Sequence, residues 1–495
     1  MTPENTIRVE AFSIDAFTEM VRVAGGGAVT DQVRYLADYL DELGARTIVG
    51  ESRYIDRHFM DEYALFYSRM LQPPANTVTR LHFFEKKFGD PELRGWMAEA
   101  FRGKKGILDT IRAQAGRYLG FTCVRPIHDS PIGRTVVERW PDGPKPRSIW
   151  AVGEHPVHIG NLEFDVTGLP FQQQEAAVGA CATVAIWSAL SRVARQEGMR
   201  APTPAEIAEA VERPPRPFVR GLFTPTTGFT ADQVCAAIQM FGFTPAVVGG
   251  DRPDLLALAL HSYLQSRIPV VMILRGGSKG HAVTAVGFQL SGSDRPDLEP
   301  SVSTRSMQLQ KIYVHDDRIG PYARATLTPF HIQNVDAIPD VQGLRFGIEH
   351  RGGKLEHWTL AMIVAPLYPK IRLSIGSLLG IATAMQKMVE LAVGNDKFDL
   401  RVDLRYERSG EYLSSLTKRV KPALGVAMAS RVALPRWCGI VRWSIGDKPL
   451  VEFVYDTTDI VRGDGTQQLL AIVALQSRMR KEADAMGARL GVPCA

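Results

Sequence analysis

The sequence predicts an α+β protein of several domains: a central module with helices ahead of strands, flanked by N-terminal and C-terminal units of α/β type. Three observations carry this. At 495 residues and 45% hydrophobic composition, the chain exceeds the roughly 250–300 residues at which a single core stops growing. Helical periodicity dominates residues 181–267, and strand-like runs follow it. Two punctuation points, the Pro/Gly-rich stretch Arg139–Arg147 and Pro369, interrupt the pattern, since proline cannot continue a helix or a central strand.

Residues 1–150 read as an α/β domain of unknown role. Val33, Leu36, Tyr39, Leu40 and Leu43 recur at helical spacing and stop at Gly44, which predicts a helix over 31–43. Thr47-Ile48-Val49 reads as a short strand, 60–70 as a helix with an aromatic face, and 118–127 as a strand. Glu51, Asp56, His58 and Asp61 straddle a strand-to-helix turn without metal-ligand spacing, so capping and surface roles are expected of them. Tyr54, Phe59, Tyr63, Phe66 and Tyr67 have core spacing. His155 and His158 flank Pro156 and read as loop residues.

Residues 151–368 form the central module. Helices are predicted over 181–196, 204–211, 231–241 and 253–267, and strands at 270–274, 282–288 and 312–314. That order is α+β. Residues 369–495 restart as a smaller α/β domain of unknown role, with a helix over 376–392, strands over 398–405 and 439–444, and a terminal helix over 466–486 closed by Gly487. The sequence carries no fixed-period repeat or low-complexity tract.

Charge and cysteine usage narrow the function classes. The balance of 58 basic and 53 acidic residues gives no electrostatic case for nucleic acid or anionic lipid. Residues 1–6 lack the basic and apolar regions of a secretory signal, and the apolar stretch around 373–385 falls short of the roughly 20 residues that span a bilayer. A soluble, cytoplasmic protein is expected, with no membrane partner. Cys123, Cys181, Cys235, Cys438 and Cys494 are odd in number and widely spaced, which argues against a disulfide framework or a structural zinc site.

The chemistry concentrates on Cys181. It opens the apolar run Cys181-Ala182-Thr183-Val184-Ala185-Ile186-Trp187, directly after the cluster Gln172-Gln173-Gln174. A helix start and a histidine cation both favour the thiolate, the nucleophilic form of cysteine. His281 follows the glycine-rich stretch Gly276-Gly277-Ser278-Lys279-Gly280 and begins an apolar strand. Asp316 closes the strand 311–315, where a carboxylate can accept the Nδ1 hydrogen of His281 and orient the ring. Asp317 is the alternative orienter, and strand alternation would put the two aspartates on opposite faces. The Cys181 N–H and an upstream glutamine side chain supply donors for an oxyanion.

Glutamine, cysteine, histidine and aspartate in this order resemble the papain-like cysteine peptidases, most closely the branch of bacteriocin-leader-processing peptidases. The resemblance covers about residues 165–330, including Ile268–Leu274 ahead of Gly280-His281-Ala282-Val283-Thr284-Ala285-Val286-Gly287. It implies a papain-like module that hydrolyses a peptide or isopeptide bond through a thioester. Cys181 would be the nucleophile, His281 the base, Asp316 the orienter and Gln174 the oxyanion donor, with Gln173 as its alternate. Glu175 stands six residues before Cys181, where that family usually has its glutamine; Ala182 and Asp317 are further departures. No cofactor or metal is implied. A leader-exporting transporter is excluded because the chain lacks a G-x-x-x-x-G-K-[ST] loop. Two alternatives share the scaffold: an acyltransferase or deamidase, and a catalytically silent module that recognises a peptide or protein. The flanking domains offer surface for a protein partner.

Overall fold

In a computed structural model the described residues are 7–27, 29–103, 105–143, 146–175, 181–212, 229–277, 279–292, 294, 302–332, 341–394, 399–419, 428, 432–458 and 468–494. The chain begins with a five-stranded antiparallel meander of β1 (Ile7–Ala11), β2 (Thr47–Tyr54), β3 (Val78–Phe84), β4 (Tyr118–Val124) and β5 (Ile132–Val137). Period-two alternation gives this sheet two buried faces. Ile48 and Phe83 point to one core, Val49 and Phe84 to the other. The first face is covered by α1 (Ile14–Gly25) and α2 (Asp31–Glu42), whose starts are capped by the hydroxyls of Ser13 and Thr30. Over the second lie α3 (Arg57–Glu62), α4 (Asp90–Phe101), α5 (Ile107–Ala115) and the hairpin of β6 (Gly153–Ile159) and β7 (Leu162–Gly168).

The central sheet carries the candidate site. Its helices are α6 (Cys181–Gln196), α7 (Pro204–Glu212), α8 (Ala231–Met240) and α9 (Pro253–Gln265). Its strands are β8 (Thr244–Gly249), β9 (Val270–Gly276), β10 (Lys279–Leu290), β11 (Leu309–Asp316), β12 (Gly320–Ile332), β13 (Val341–Glu349) and β14 (Leu355–Leu367). The hydrogen-bonded order β13-β12-β11-β10-β9-β14 runs back on itself because β14 also pairs with β13. Six antiparallel strands thus close into a barrel, with β8 added along the far end of β14. Closure removes exposed edges. Helix α6 is buried on nearly every face from Ala182 to Ala194, as expected of a helix that is apolar all round. It packs on β10.

The C-terminal residues form α10 (Ile375–Val393), the antiparallel sheet β15 (Leu400–Arg408), β16 (Trp437–Ile445), β17 (Lys448–Asp456) and β18 (Leu469–Ala474), and the helices α11 (Ser409–Arg419) and α12 (Arg480–Leu490). One apolar core continues from α6 and the barrel into this sheet. The join runs along α9, where the Tyr406 N–H donates to Ser266 Oγ at 2.8 Å.

Both helices and sheets are present throughout, as the α+β class requires. The details differ from expectation in four places. Both flanking sheets, expected as α/β, are antiparallel meanders, so these regions are α+β as well. His155 and His158 lie in strand β6, paired with Val166 and Glu163, and not in a loop; this hairpin sits on the N-terminal core. The expected helix over 60–70 is α3 followed by a π-helical turn, Tyr63–Tyr67. The expected terminal helix is replaced by β18 and the shorter α12, with Gly487 inside the helix; residues 466–467 lie outside the described residues. A run apolar at every position, such as Leu469-Leu470-Ala471-Ile472-Val473-Ala474, has no period to separate helix from strand, and pairing with β17 decides it.

Candidate active site

Cys181 is the first residue of α6 and half-buried. The helix start is pinned from the barrel side: Thr284 Oγ1 on β10 donates to the Ala185 carbonyl at 2.8 Å. Further along, Ser188 Oγ donates to the Pro170 carbonyl at 2.7 Å. The strand that anchors the helix also carries His281, paired opposite Leu274 of β9. Register therefore places His281 on the strand that packs against α6, where the Cys181 side chain acts on the charge of the imidazole.

His281 Nε2 lies 3.0 Å from Asp316 Oδ1. The orienting contact is thus at Nε2 and not at Nδ1 as expected. Ring orientation depends on a packed environment that includes Trp358, whose ring centroid is 5.7 Å away. Asp316 ends β11, and its Oδ1 also accepts the Arg318 N–H at 2.9 Å. The Arg318 guanidinium turns away to Glu356, at 3.2 Å.

Asp317 departs further from expectation. Alternation would place it opposite Asp316, yet its Oδ1 is 3.7 Å from His281 Nε2. The reason is that β11 ends at Asp316 and Asp317 begins a turn. That turn is clasped by α2, with Gln32 Nε2 donating to the Asp317 carbonyl at 3.3 Å and the Tyr35 hydroxyl to the Pro321 carbonyl at 3.1 Å. Gly320 is required here, because a Cβ would come within 2.1 Å of the Tyr35 ring. Both carboxylate oxygens of Asp317 are buried with no hydrogen-bond partner among the described residues.

The electrostatics follow from this crowding. Burial opposes charge on His281, but the Asp316 carboxylate, the contact with Cys181 and the Asp317 carboxylate together hold its pKa well above the ordinary 6.5. Burial likewise opposes charge on Asp316, and His281 and the Arg318 N–H outweigh it, so that carboxyl is held low. For Asp317 burial wins, reinforced by Asp316, and pushes it up to about 7.

The glutamine cluster is held from the N-terminal sheet. Arg125, buried just after β4, donates to the Ser130 carbonyl at 2.9 Å and the Gln173 carbonyl at 3.0 Å. Its other arm reaches Glu62 Oε2 at 3.1 Å, and the Gln172 amide donates to the second oxygen of Glu62. Ser130 Oγ donates to the Gln174 carbonyl at 2.7 Å. Gln173 is committed too, its Oε1 accepting the Ile132 N–H at 3.3 Å and its amide donating to the Asp129 carbonyl at 3.2 Å. Gln172, Gln173 and Gln174 line a small cavity with Glu175 and with Thr183 and Val184 from the first turn of α6. Glu175 is pushed up to about 7, by burial and then by the charge of Glu62.

Cys181, His281 and Asp316 are therefore brought together, Asp317 joins them, and Gln174 borders the helix start. Arg125, Ser130 and Glu62 had no sequence signal as site supports, because their partners lie 44 to 110 residues away. Among the sites set aside at the sequence level, Asp56 caps α3, whereas Glu51 is in a buried cluster with Arg80 and His82. Among the described residues, His281, Asp316 and Asp317 have the spacing of metal ligands, with one donor atom from each lying within 4.8 Å of the others. No described helix is long and apolar enough to cross a membrane. No protein-family model matches the chain, and no curated protein matches it.

Proposed function

We propose that the chain is a papain-like thiol peptidase, cleaving a peptide or isopeptide bond with Cys181 as nucleophile, His281 as base and acid, and Asp316 as orienter. The observation that carries this is the shared imidazole: one ring interacts with a half-buried thiol at a helix start and, through Nε2, lies 3.0 Å from a buried carboxylate. A helix packed on a closed antiparallel barrel, with the thiol on the helix and the imidazole and carboxylate on adjacent strands, agrees with that reading.

In this mechanism the proton shared by Cys181 and His281 rests on the imidazole as sulfur attacks the scissile carbonyl. The oxyanion is met by the Cys181 N–H and the Gln174 amide. Collapse breaks the C–N bond, His281 returns the proton to the leaving amine, and water then hydrolyses the thioester.

Alkylation with iodoacetamide at neutral pH, followed by peptide mapping, tests the reading. The other four thiols give low background, since burial pushes each of them up, Cys235 and Cys494 included. The expected outcome is selective modification of Cys181, lost in His281→Ala. Labelling of Cys181 no faster than that of Cys235 and Cys494 would sink the proposal.

A further inference from the structure

The mechanism uses one aspartate, yet two converge on His281. Asp317 is 2% exposed at its side chain, and neither of its oxygens has a hydrogen-bond partner among the described residues. Burying a carboxyl without partners costs several kcal/mol in an apolar setting. His281 and Arg318 offset part of that cost by charge alone, and the Arg318 guanidinium itself is committed to Glu356. An orphaned carboxyl aimed at an imidazole nitrogen that already meets a second carboxylate is the arrangement of a cation site.

We propose that His281 Nε2, Asp316 Oδ1 and Asp317 Oδ1 bind a divalent transition ion of the zinc class, which takes the place of the imidazole proton and silences the thiol centre. The spacing supports this. Two ligands at about 2.0–2.1 Å from a tetrahedral ion are about 3.3 Å apart. The observed separations from Nε2 are 3.0 Å to Asp316 and 3.7 Å to Asp317, so they bracket that value, and all three ligand atoms lie within 4.8 Å. One imidazole and two carboxylates suit zinc, cobalt and related ions. With the ion on Nε2 the proton formerly there goes to solvent. His281 can then no longer act as an imidazolium acid toward the leaving amine.

Binding stands on geometry alone; the silencing rests on the thiol-peptidase reading, and the experiment separates them. Cobalt is titrated into the metal-free full chain carrying Cys181→Ala, which removes the thiol as a rival ligand. The expected result is one equivalent of saturable binding with the visible absorption of tetrahedral cobalt. Adding Asp317→Asn should weaken it by at least the roughly 10- to 100-fold that loss of even an outer-shell partner costs. In the unsubstituted chain, zinc should move the Nε2 resonance of His281 in long-range proton–nitrogen spectra while leaving those of His82 and His315 in place. That measurement stands whether or not the variants fold. Absence of saturable binding, binding unaltered by Asp317→Asn in a folded chain, or an unmoved His281 resonance would each overturn the site. Selective Cys181 labelling with no zinc binding removes this proposal and keeps the peptidase; zinc binding without selective labelling does the reverse.

Discussion

Two histidines in this chain sit 3.0 Å from a carboxylate through Nε2, and their surroundings push them in opposite directions. His82 on β3 meets Glu51, and His281 on β10 meets Asp316. Burial opposes charge on both rings. At His82 it prevails, because Arg80 claims the same Glu51 oxygen at 2.6 Å and repels a second cation, and the ring falls to about 4. Its other nitrogen is used by the Tyr118 hydroxyl at 2.7 Å. At His281 the neighbours are a second carboxylate and a thiol, and the ring is held well above its ordinary value. A His–carboxylate pair is thus no signature of chemistry by itself. The surrounding charges and the use made of the second nitrogen decide what it does.

The largest expected effect breaks the two sites apart. His281→Ala should slow both Cys181 alkylation and substrate cleavage by about 10²–10⁴-fold, the range of a lost general base, and should also lower stability, because the buried Asp316 and Asp317 carboxyls lose their partner. His82→Gln should leave alkylation untouched and cost about 1–3 kcal/mol of stability, since the partly buried Glu51 and the buried Tyr118 lose a partner. Urea unfolding and alkylation rates on the same samples check both. If His82→Gln slowed alkylation as strongly as His281→Ala, the distinction between the two pairs would fail.

What the sequence made legible is the positions at element ends. Cys181 heads an apolar helical run, His281 opens an apolar strand and Asp316 closes one, so each is marked by a local change of pattern. The helices over 181–196, 204–212, 231–240 and 253–265 follow from the same periodicity. What it hid depends on contacts far apart in the chain. Asp317 converges on His281 because α2 clasps its turn from 285 residues away. The choice of Nε2 over Nδ1 is a matter of ring orientation in a packed environment. The barrel closure through β12, β13 and β14 rests on pairings that no local run announces.

A smaller effect extends the comparison to the glutamines. Gln173 and Gln174 both line the cavity at the start of α6, but Gln173 resembles His82, with both ends of its amide committed to backbone groups of the N-terminal region. Gln174→Ala should lower kcat by about 10²–10³-fold, as for a lost oxyanion donor, without loss of folding. Gln173→Ala should act on stability instead, by about 1–3 kcal/mol, because the Ile132 N–H is left unpaired in a buried setting. Steady-state kinetics beside thermal unfolding separates the two, and a reversed pattern would reassign the donor.

The smallest effect converts one site toward the other. Arg80→Met removes the cation that competes for Glu51, so the His82 titration midpoint should rise by about one to three pH units. Stability carries the same information with a definite sign. In the unsubstituted chain the folded ring titrates at about 4 and the unfolded ring at the ordinary 6.5. As pH falls through 6.5 the unfolded state gains a proton that the folded state refuses, and stability declines until about pH 4, by about 3 kcal/mol from this ring. In Arg80→Met that gap narrows, so the decline over the window should shrink by about 1–3 kcal/mol, from a lower starting stability because Glu51 has lost its ion pair. His58, His155, His261 and His315, each pushed down to about 3 chiefly by burial, add the same slope to both chains and cancel in the difference. Denaturant unfolding at a series of pH values between neutrality and about pH 4.5, within the window where the two rings differ, reads it directly. Parallel slopes for the two chains would mean that burial alone, and not Arg80, keeps His82 neutral, and the contrast with His281 would then rest on the second carboxylate.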